Sequence, residues 1–147
     1  QAGLDKKKIY QEFAKRVEKI KMRATSFIKK EVMVGRVFFV YGASTKGNTL
    51  LQYFKLDNTL IKTAAERNPA KWGKKTVLTL IPIISEEEAR RQNPDYFLVL
   101  PWHFRKEFID REEDFLKSGG KMIFPLPKFE IVGFKKGRYY SYPLRLS

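Results

Sequence analysis

The stretch VFFVYGASTKGNTLLQ (residues 37–52) decides the fold of this sequence. It opens with a continuous apolar run from Val37 to Tyr41, which is rich in β-branched and aromatic side chains and has the length of a strand buried on both faces. A glycine-bearing turn follows, and a helical stretch is predicted from Asn48 to about Lys55. A strand, a turn and a helix in this order form the first unit of an α/β sheet.

Four more strand candidates follow along the chain, at residues 59–65, 77–84, 96–100 and 121–124. Apolar strands that alternate with helices predict a parallel sheet covered on both faces. Right-handed crossovers then give an α/β fold with a Rossmann-like, doubly wound, mainly parallel sheet of about five strands and flanking helices. A closing hairpin is predicted from residues 129–134 and 139–144, with Gly137 in its turn.

The first thirty residues predict a long amphipathic N-terminal helix, because apolar residues recur at steps of three and four. This apolar stripe consists of Ile9, Phe13, Val17, Ile20, Ala24 and Phe27. Residues 1–30 also carry ten basic and three acidic side chains, which fit a solvated face on a docked helix, or nucleic-acid or membrane binding. We expect a single domain over residues 1–147, with this helix at 1–34, an α/β core at 35–132 and a C-terminal hairpin or tail at 133–147.

Composition narrows the classes of function. The 147 residues carry 30 basic and 16 acidic side chains, and the net charge of +14 favours anionic partners such as nucleotides, phosphorylated sugars or nucleic acid. The lack of cysteine excludes disulfides and thiolate chemistry, and with a single histidine no metal site is expected. We also expect a cytoplasmic protein without a membrane span, because no apolar run reaches roughly 18 residues and no signal peptide is visible.

The turn after the first strand supports a ligand hypothesis. In doubly wound sheets, ligands bind at the carboxyl ends of the strands, where the strand order reverses. A helix N-terminus there offers unpaired N–H groups, and small residues let an anion approach the backbone. The candidates for holding a diphosphate are Gly42, Ser44, Lys46, Gly47 and Asn48. The alternative is a tight turn that only caps the helix.

Three more specific interpretations of this turn fail. A P-loop needs lysine directly after its second glycine, but Asn48 follows Gly47. The dinucleotide fingerprint needs glycine at position 44, which is Ser44, and a nucleophile elbow needs glycine at position 46, which is Lys46. A hydrolase that uses Ser44 and His103 has no evident carboxylate to orient the imidazole.

Other candidates follow neighbouring strands at the same predicted edge. Glu66 stands 24 residues after Gly42, about where an acid often accepts ribose hydroxyls in this architecture, although it could equally be a solvated loop acid. Trp102 and His103 follow the fourth strand. They could stack on a nucleobase or sugar, or they could simply cover the end of the sheet.

Five blocks of sequence, taken in order, resemble one family. They are GASTKGNTLL (42–51), ERNPAKWGKKT (66–76), IPI (81–83), DYFLVLPWHFRKEF (95–108) and GGKMIFPLP (119–127). Their order and spacing resemble the C-terminal domain of nucleotide-sugar C-methyltransferases over roughly residues 10–132. The resemblance implies a domain that holds the nucleotide part of a nucleotide diphosphate sugar.

Whole enzymes of that family also contain an N-terminal zinc-binding domain and a central domain for S-adenosylmethionine (SAM). The sequence of this chain contains neither, so the resemblance implies no cofactor in this chain, no methyl transfer by the chain alone, and those two domains as partners. The chain is expected to be an excised domain or a stand-alone relative.

Two stretches depart from the family pattern. Val77-Leu78 replaces the usual Pro-Gly, and Lys55 stands where a glycine commonly ends the first helix. Two other functions remain open. The first is a basic nucleic-acid-binding module that uses the N-terminal helix. The second is a small independent enzyme, which the lack of a complete catalytic set disfavours.

Overall fold

A computed structural model describes residues 2–143, with side chains from residue 5 onward. The helices are α1 (Ala2–Met33), α2 (Thr45–Tyr53), α3 (Glu86–Gln92), α4 (Arg105–Arg111) and α5 (Glu113–Lys117). The strands are β1 (Phe38–Tyr41), β2 (Thr63–Glu66), β3 (Ile83–Ser85), β4 (Tyr96–Val99), β5 (Lys121–Phe124), β6 (Glu130–Lys135) and β7 (Arg138–Pro143). Short 3-10 turns lie at Pro69–Lys71 and Trp102–Phe104.

These strands form one mixed sheet in the order β3-β2-β1-β4-β5-β6-β7. The first five run parallel, whereas β6 and β7 are antiparallel. The predicted mixed α/β fold with a mostly parallel sheet and a long N-terminal helix is therefore confirmed. The predicted number of about five strands is wrong, because the C-terminal hairpin pairs with β5 and extends the sheet to seven. Residues 144–147 of the predicted hairpin or tail lie outside the described residues.

The central strands β1 and β4 are buried on both faces, as the apolar runs predicted, whereas the edge strand β7 is mostly exposed. Successive residues of a strand point to opposite faces. On one face, Phe38 and Leu98 belong to a core that includes Ala24 and Ile28 of α1 and side chains of α2. On the other face, residues of β1 and β4 pack with side chains of α3, α4 and α5. This two-sided cover leaves the strand ends as the open edge of the sheet.

Two predicted strands are shorter than expected. The stretch 59–65 contributes only its end to β2, and the stretch 77–84 contributes only its end to β3. Residues 76–81 form a turn in which Leu80 N–H donates to Thr76 O and Thr76 N–H donates to Ile81 O. Val77 and Leu78 are exposed there, so their apolar character reflects neither a strand nor a core position.

Helix α1 is docked on the sheet by its C-terminal half only. Ala24 and Ile28 are fully buried, whereas Ile9 and Phe13 are 66% and 53% exposed. Ile9 and Phe13 of the predicted stripe therefore do not dock. The reason is length: 32 residues span about 48 Å, far more than a strand of four residues at about 13 Å. Among the described residues, no helix has the length and apolar character needed to cross a bilayer.

Half-docking of α1 predicts unequal effects of two substitutions. Ile28→Ala should lower the free energy of unfolding by about 3 kcal/mol, because a buried side chain leaves a cavity. Phe13→Ala should change it by less than about 0.5 kcal/mol, because the ring is already in solvent. Urea unfolding of the two variants measures the difference. Equal losses would show that the first half of the helix is covered in solution.

Each departure from the family pattern contains a residue with a left-handed backbone conformation. Lys55 has φ of 55° and Leu78 has φ of 65°. L-residues other than glycine are strained in this region, because Cβ approaches the following carbonyl oxygen. The usual glycines at these positions therefore fit the backbone conformation, and this chain keeps the conformation without them.

Leu78→Gly is expected to raise the free energy of unfolding by about 0.5–1 kcal/mol. The left-handed conformation costs a side chain about 1–2 kcal/mol, of which the extra freedom of unfolded glycine offsets about half. Leu78 is 76% exposed, so little burial is lost. Thermal unfolding measures the change. Val77→Gly is the matched control, since Val77 lies in the same turn at ordinary φ, and it should destabilise.

Candidate functional site

The turn between β1 and α2 lies at the carboxyl edge of the sheet, with β2 on one side of β1 and β4 on the other. Gly42 has φ of 88°, and a Cβ there would lie 2.7 Å from the ring of Pro101. A Cβ on Gly47 would lie 2.6 Å from Leu100 Cβ. Both glycines therefore let the segment that follows β4 approach the turn closely.

Ser44 caps the N-terminus of α2. Its Oγ accepts from Gly47 N–H at 3.0 Å, and its carbonyl accepts from Asn48 N–H at 2.9 Å. In the described part of the chain, the N–H groups of Ser44, Thr45 and Lys46 have no acceptor. The donors that remain for a ligand are thus those of residues 44–46, whereas those of Gly47 and Asn48 are used within the turn.

Two clefts open on either side of this turn, and Ser44, Pro101 and Phe104 line both. The first, which we call the polar cleft, has a volume of about 290 Å³. The charged residues that line it are Glu66, Arg67, Lys71, Glu86, Glu107 and Arg111. The polar cleft thus offers both hydrogen-bond donors and acceptors to a ligand.

The second, which we call the apolar cleft, has a volume of about 930 Å³. Its wall includes Leu50, Tyr53, Leu100 and Leu126. The indole of Trp102 stacks on the imidazole of His103, with ring centroids 3.9 Å apart and planes 20° apart. This surface suits a flat or apolar group better than an anion.

The predicted site residues divide between these clefts. Of the predicted residues, Gly42, Ser44 and Glu66 line the polar cleft. The apolar cleft is lined by Ser44, Lys46, Trp102 and His103. Gly47 and Asn48 line neither. Asn48 Oδ1 instead accepts from Thr79 Oγ1 at 3.3 Å, which ties α2 to the turn at residues 76–81.

The Glu66 carboxylate accepts from two backbone N–H groups, one in the turn after β1 and one in the segment after β2. Its Oε2 accepts from Ala43 N–H at 2.9 Å, and its Oε1 accepts from Asn68 N–H at 3.1 Å. Lys71 Nζ donates to the carbonyl of the same Ala43 at 2.9 Å. The segment after β2 is thereby fastened to the turn after β1.

A buried charge network that the sequence analysis missed lies beneath the polar cleft. Glu112 is 1% exposed, and its carboxylate accepts from Tyr41 Oη at 2.9 Å and from Arg90 Nε and Nη2 at 2.8 and 2.6 Å. Burial and the nearby Glu112 charge raise the pKa of Tyr41, and the hydrogen bond to Glu112 raises the pKa of Arg90. Tyr41, which is among the residues that line the polar cleft, is thus a neutral and buried hydroxyl that Glu112 holds in place.

A signal for this network exists in the sequence. Glu112 stands four residues after Phe108 and three before Phe115, on the apolar side of the helical segment. A carboxylate at such a position must be paired, because an unpaired buried charge is very costly.

Among the described residues, no group of His, Asp and Glu side chains could hold a metal ion.

Two comparisons with known proteins bear on this chain. Residues 1–127 match the profile of the family described as C-methyltransferase C-terminal domain. The C-methyltransferase NovU of Streptomyces niveus is 35% identical over 123 residues, which is 84% of this chain and 29% of that protein. This chain thus matches less than a third of the length of its relative. Both matches are to methyltransferases, and they give no support to the nucleic-acid alternative.

Proposed function

From the premise that this chain belongs to the family of C-methyltransferase C-terminal domains, we propose that it holds the nucleotide-sugar substrate of a SAM-dependent C-methyltransferase. The observation that carries the proposal is the turn at residues 42–48. It lies at the strand edge with a cleft on either side, and three of its N–H groups have no acceptor among the described residues.

The order of the parallel strands supports a nucleotide ligand. The strand order β3-β2-β1-β4-β5 is the one found in the Rossmann-like sheets that bind nucleotides. This strand order reverses direction between β1 and β4. Ligands of such sheets lie in the crevice outside that reversal. The turn after β1 and the segment Pro101–Phe104 after β4 flank this position.

The diphosphate is assigned to the turn and the nucleoside or sugar to its two sides. The N–H groups of residues 44–46 and the Lys46 ammonium provide donors for phosphate oxygens. Trp102 and His103 offer a stacked surface to a base or sugar ring. A ligand that crosses Ser44 would place its charged part on the turn and its rings in the apolar cleft.

Methyl transfer itself is assigned to the rest of the enzyme. We propose that SAM and the catalytic groups belong to other domains, which are the partners of this chain, and that the chain alone holds substrate without turnover. The match to 29% of NovU supports this division, because most of that protein lies outside the matched segment.

Calorimetric titration with nucleoside diphosphates tests the proposed site. Wild type should bind a diphosphate such as UDP or dTDP, and Lys46→Ala should weaken the affinity by about 10- to 100-fold, as for the loss of a shielded charge-assisted hydrogen bond. Lys62→Ala is the control, because it removes the same charge from a residue that is exposed like Lys46 but lines neither cleft. Equal affinities of wild type and Lys46→Ala would remove Lys46 from the site. No binding of any diphosphate to wild type at millimolar concentration would contradict the proposed function.

A further inference from the structure

Ala43 is held at both of its backbone groups by two side chains from one short segment. Glu66 Oε2 accepts from its N–H at 2.9 Å, and Lys71 Nζ donates to its carbonyl at 2.9 Å. The negatively charged Glu66 thus binds the N–H of Ala43, and the positively charged Lys71 binds its carbonyl. Ala43 has no polar side chain of its own, so this grip acts on the backbone alone.

The segment that holds Ala43 is itself braced. Glu66 Oε1 accepts from Asn68 N–H at 3.1 Å, and Trp72 Nε1 donates to the Glu66 carbonyl at 2.7 Å. Gly73 N–H donates to the carbonyl of Ile83 in β3 at 2.9 Å. Each end of the segment is therefore fixed to the sheet, and the two side chains act from a firm base.

The position of Ala43 in the chain determines what these two hydrogen bonds can affect. Ala43 directly precedes Ser44, the first of the three residues whose N–H groups have no acceptor in the part of the chain that the structure describes. The direction of those N–H groups follows from the backbone angles at Ala43 and Ser44. Donors that are already aimed at a ligand cost less ordering on binding than donors that must be turned toward it.

We propose that Glu66 and Lys71 are positioning residues that clamp Ala43 and so aim the N–H groups of residues 44–46 at the diphosphate. This proposal rests on the proposed function, and it gives Glu66 a role other than contact with ribose hydroxyls.

The test uses the full chain and calorimetric titration with UDP and dTDP. Glu66→Ala and Lys71→Met should each weaken the affinity by about 10-fold or more, because misaimed donors bind poorly. Glu66→Gln retains an acceptor oxygen for Ala43 N–H and gives up only the one for Asn68 N–H, which is exposed and can bond to water. Lys71→Arg retains a donor for the Ala43 carbonyl. These two variants should recover affinity to within about 3-fold of wild type. Lys74→Met removes an exposed charge three residues along and is the control.

The double variant Glu66→Ala with Lys71→Met adds a second criterion. Both side chains act on Ala43, so their effects should not be independent. The fold-loss of affinity in the double variant should therefore be smaller than the product of the fold-losses in the two single variants. The amide proton resonance of Ala43 should also move in Glu66→Ala and stay near its wild-type position in Lys74→Met.

The outcomes separate the clamp from the proposed function. If wild type binds a diphosphate while Glu66→Ala and Lys71→Met bind it equally well, the clamp is wrong and the site stands. If the alanine and glutamine variants lose affinity alike, Glu66 acts by its charge, and positioning is again wrong. If wild type binds no diphosphate, both proposals fail. Should Glu66→Ala not fold, Lys71→Met against Lys71→Arg decides, since Lys71 is only half-buried.

Discussion

Gly47→Val is expected to lower the free energy of unfolding by about 3 kcal/mol and to remove binding of nucleoside diphosphates. Gly47 is buried in the first turn of α2, and even a Cβ there would lie 2.6 Å from Leu100 Cβ and 2.7 Å from its Cδ1. Leu100 is itself buried and cannot move away cheaply. The start of α2 must therefore shift, and the N–H groups of residues 44–46 shift with it.

Urea unfolding and calorimetric titration measure the two effects separately. Affinity should fall by more than about 100-fold, since small displacements of aimed groups are costly. Gln52→Val is the matched control, because it places the same side chain in the same helix at an exposed position that lines neither cleft. Gly47→Ala should show an intermediate loss of stability. Normal stability of Gly47→Val would mean that α2 and β4 pack more loosely than the structure shows.

Glu112→Ala is expected to destabilise the chain by about 3–5 kcal/mol. The carboxylate is 1% exposed and satisfies Tyr41 and Arg90, so its removal leaves the Tyr41 hydroxyl and the Arg90 guanidinium with unmet hydrogen bonds near a cavity. Arg90 is 38% exposed and can turn to water, which places the expected loss at the lower end of this range.

Chemical denaturation of Glu112→Ala against Glu113→Ala gives the comparison. Glu113 is the next residue, half exposed, and its ion pair with Lys117 lies on the surface. Loss of a surface pair should change stability by at most about 1 kcal/mol. Similar values for the two variants would contradict the buried network. A large loss for Glu112→Ala alone would establish that Tyr41 is supported from beneath by a charged group.

The centre of the parallel sheet was predictable because β1 and β4 are apolar throughout. The run at residues 37–41 has the length and composition of a strand covered on both faces, and β4 follows the same pattern. The strand predicted at residues 77–84 was wrong over most of its length, because Val77 and Leu78 are residue types typical of strands but lie exposed in a turn. Local composition does not report exposure, which depends on the residues that pack nearby.

The candidate site was predictable at the level of the backbone and less so at the level of side chains. Strand, turn and helix located residues 42–48 at the edge of the sheet. Glu66 at the end of β2, and Trp102 and His103 after β4, line the clefts beside that turn. Pairings such as Lys71 with Ala43 join residues 28 apart. They depend on tertiary geometry that no local pattern contains.

The half-docked helix α1 divides into two zones of local stability. From about Val17 to its end, opening the helix must break the core around Ala24 and Ile28, so those amides should be protected from hydrogen exchange nearly as well as the sheet. Before Val17, opening breaks only hydrogen bonds within the helix and uncovers no core, so those amides should exchange by fraying. One continuous helix therefore contains both a structural element of the domain and an arm that can unwind or re-form without disturbing the fold.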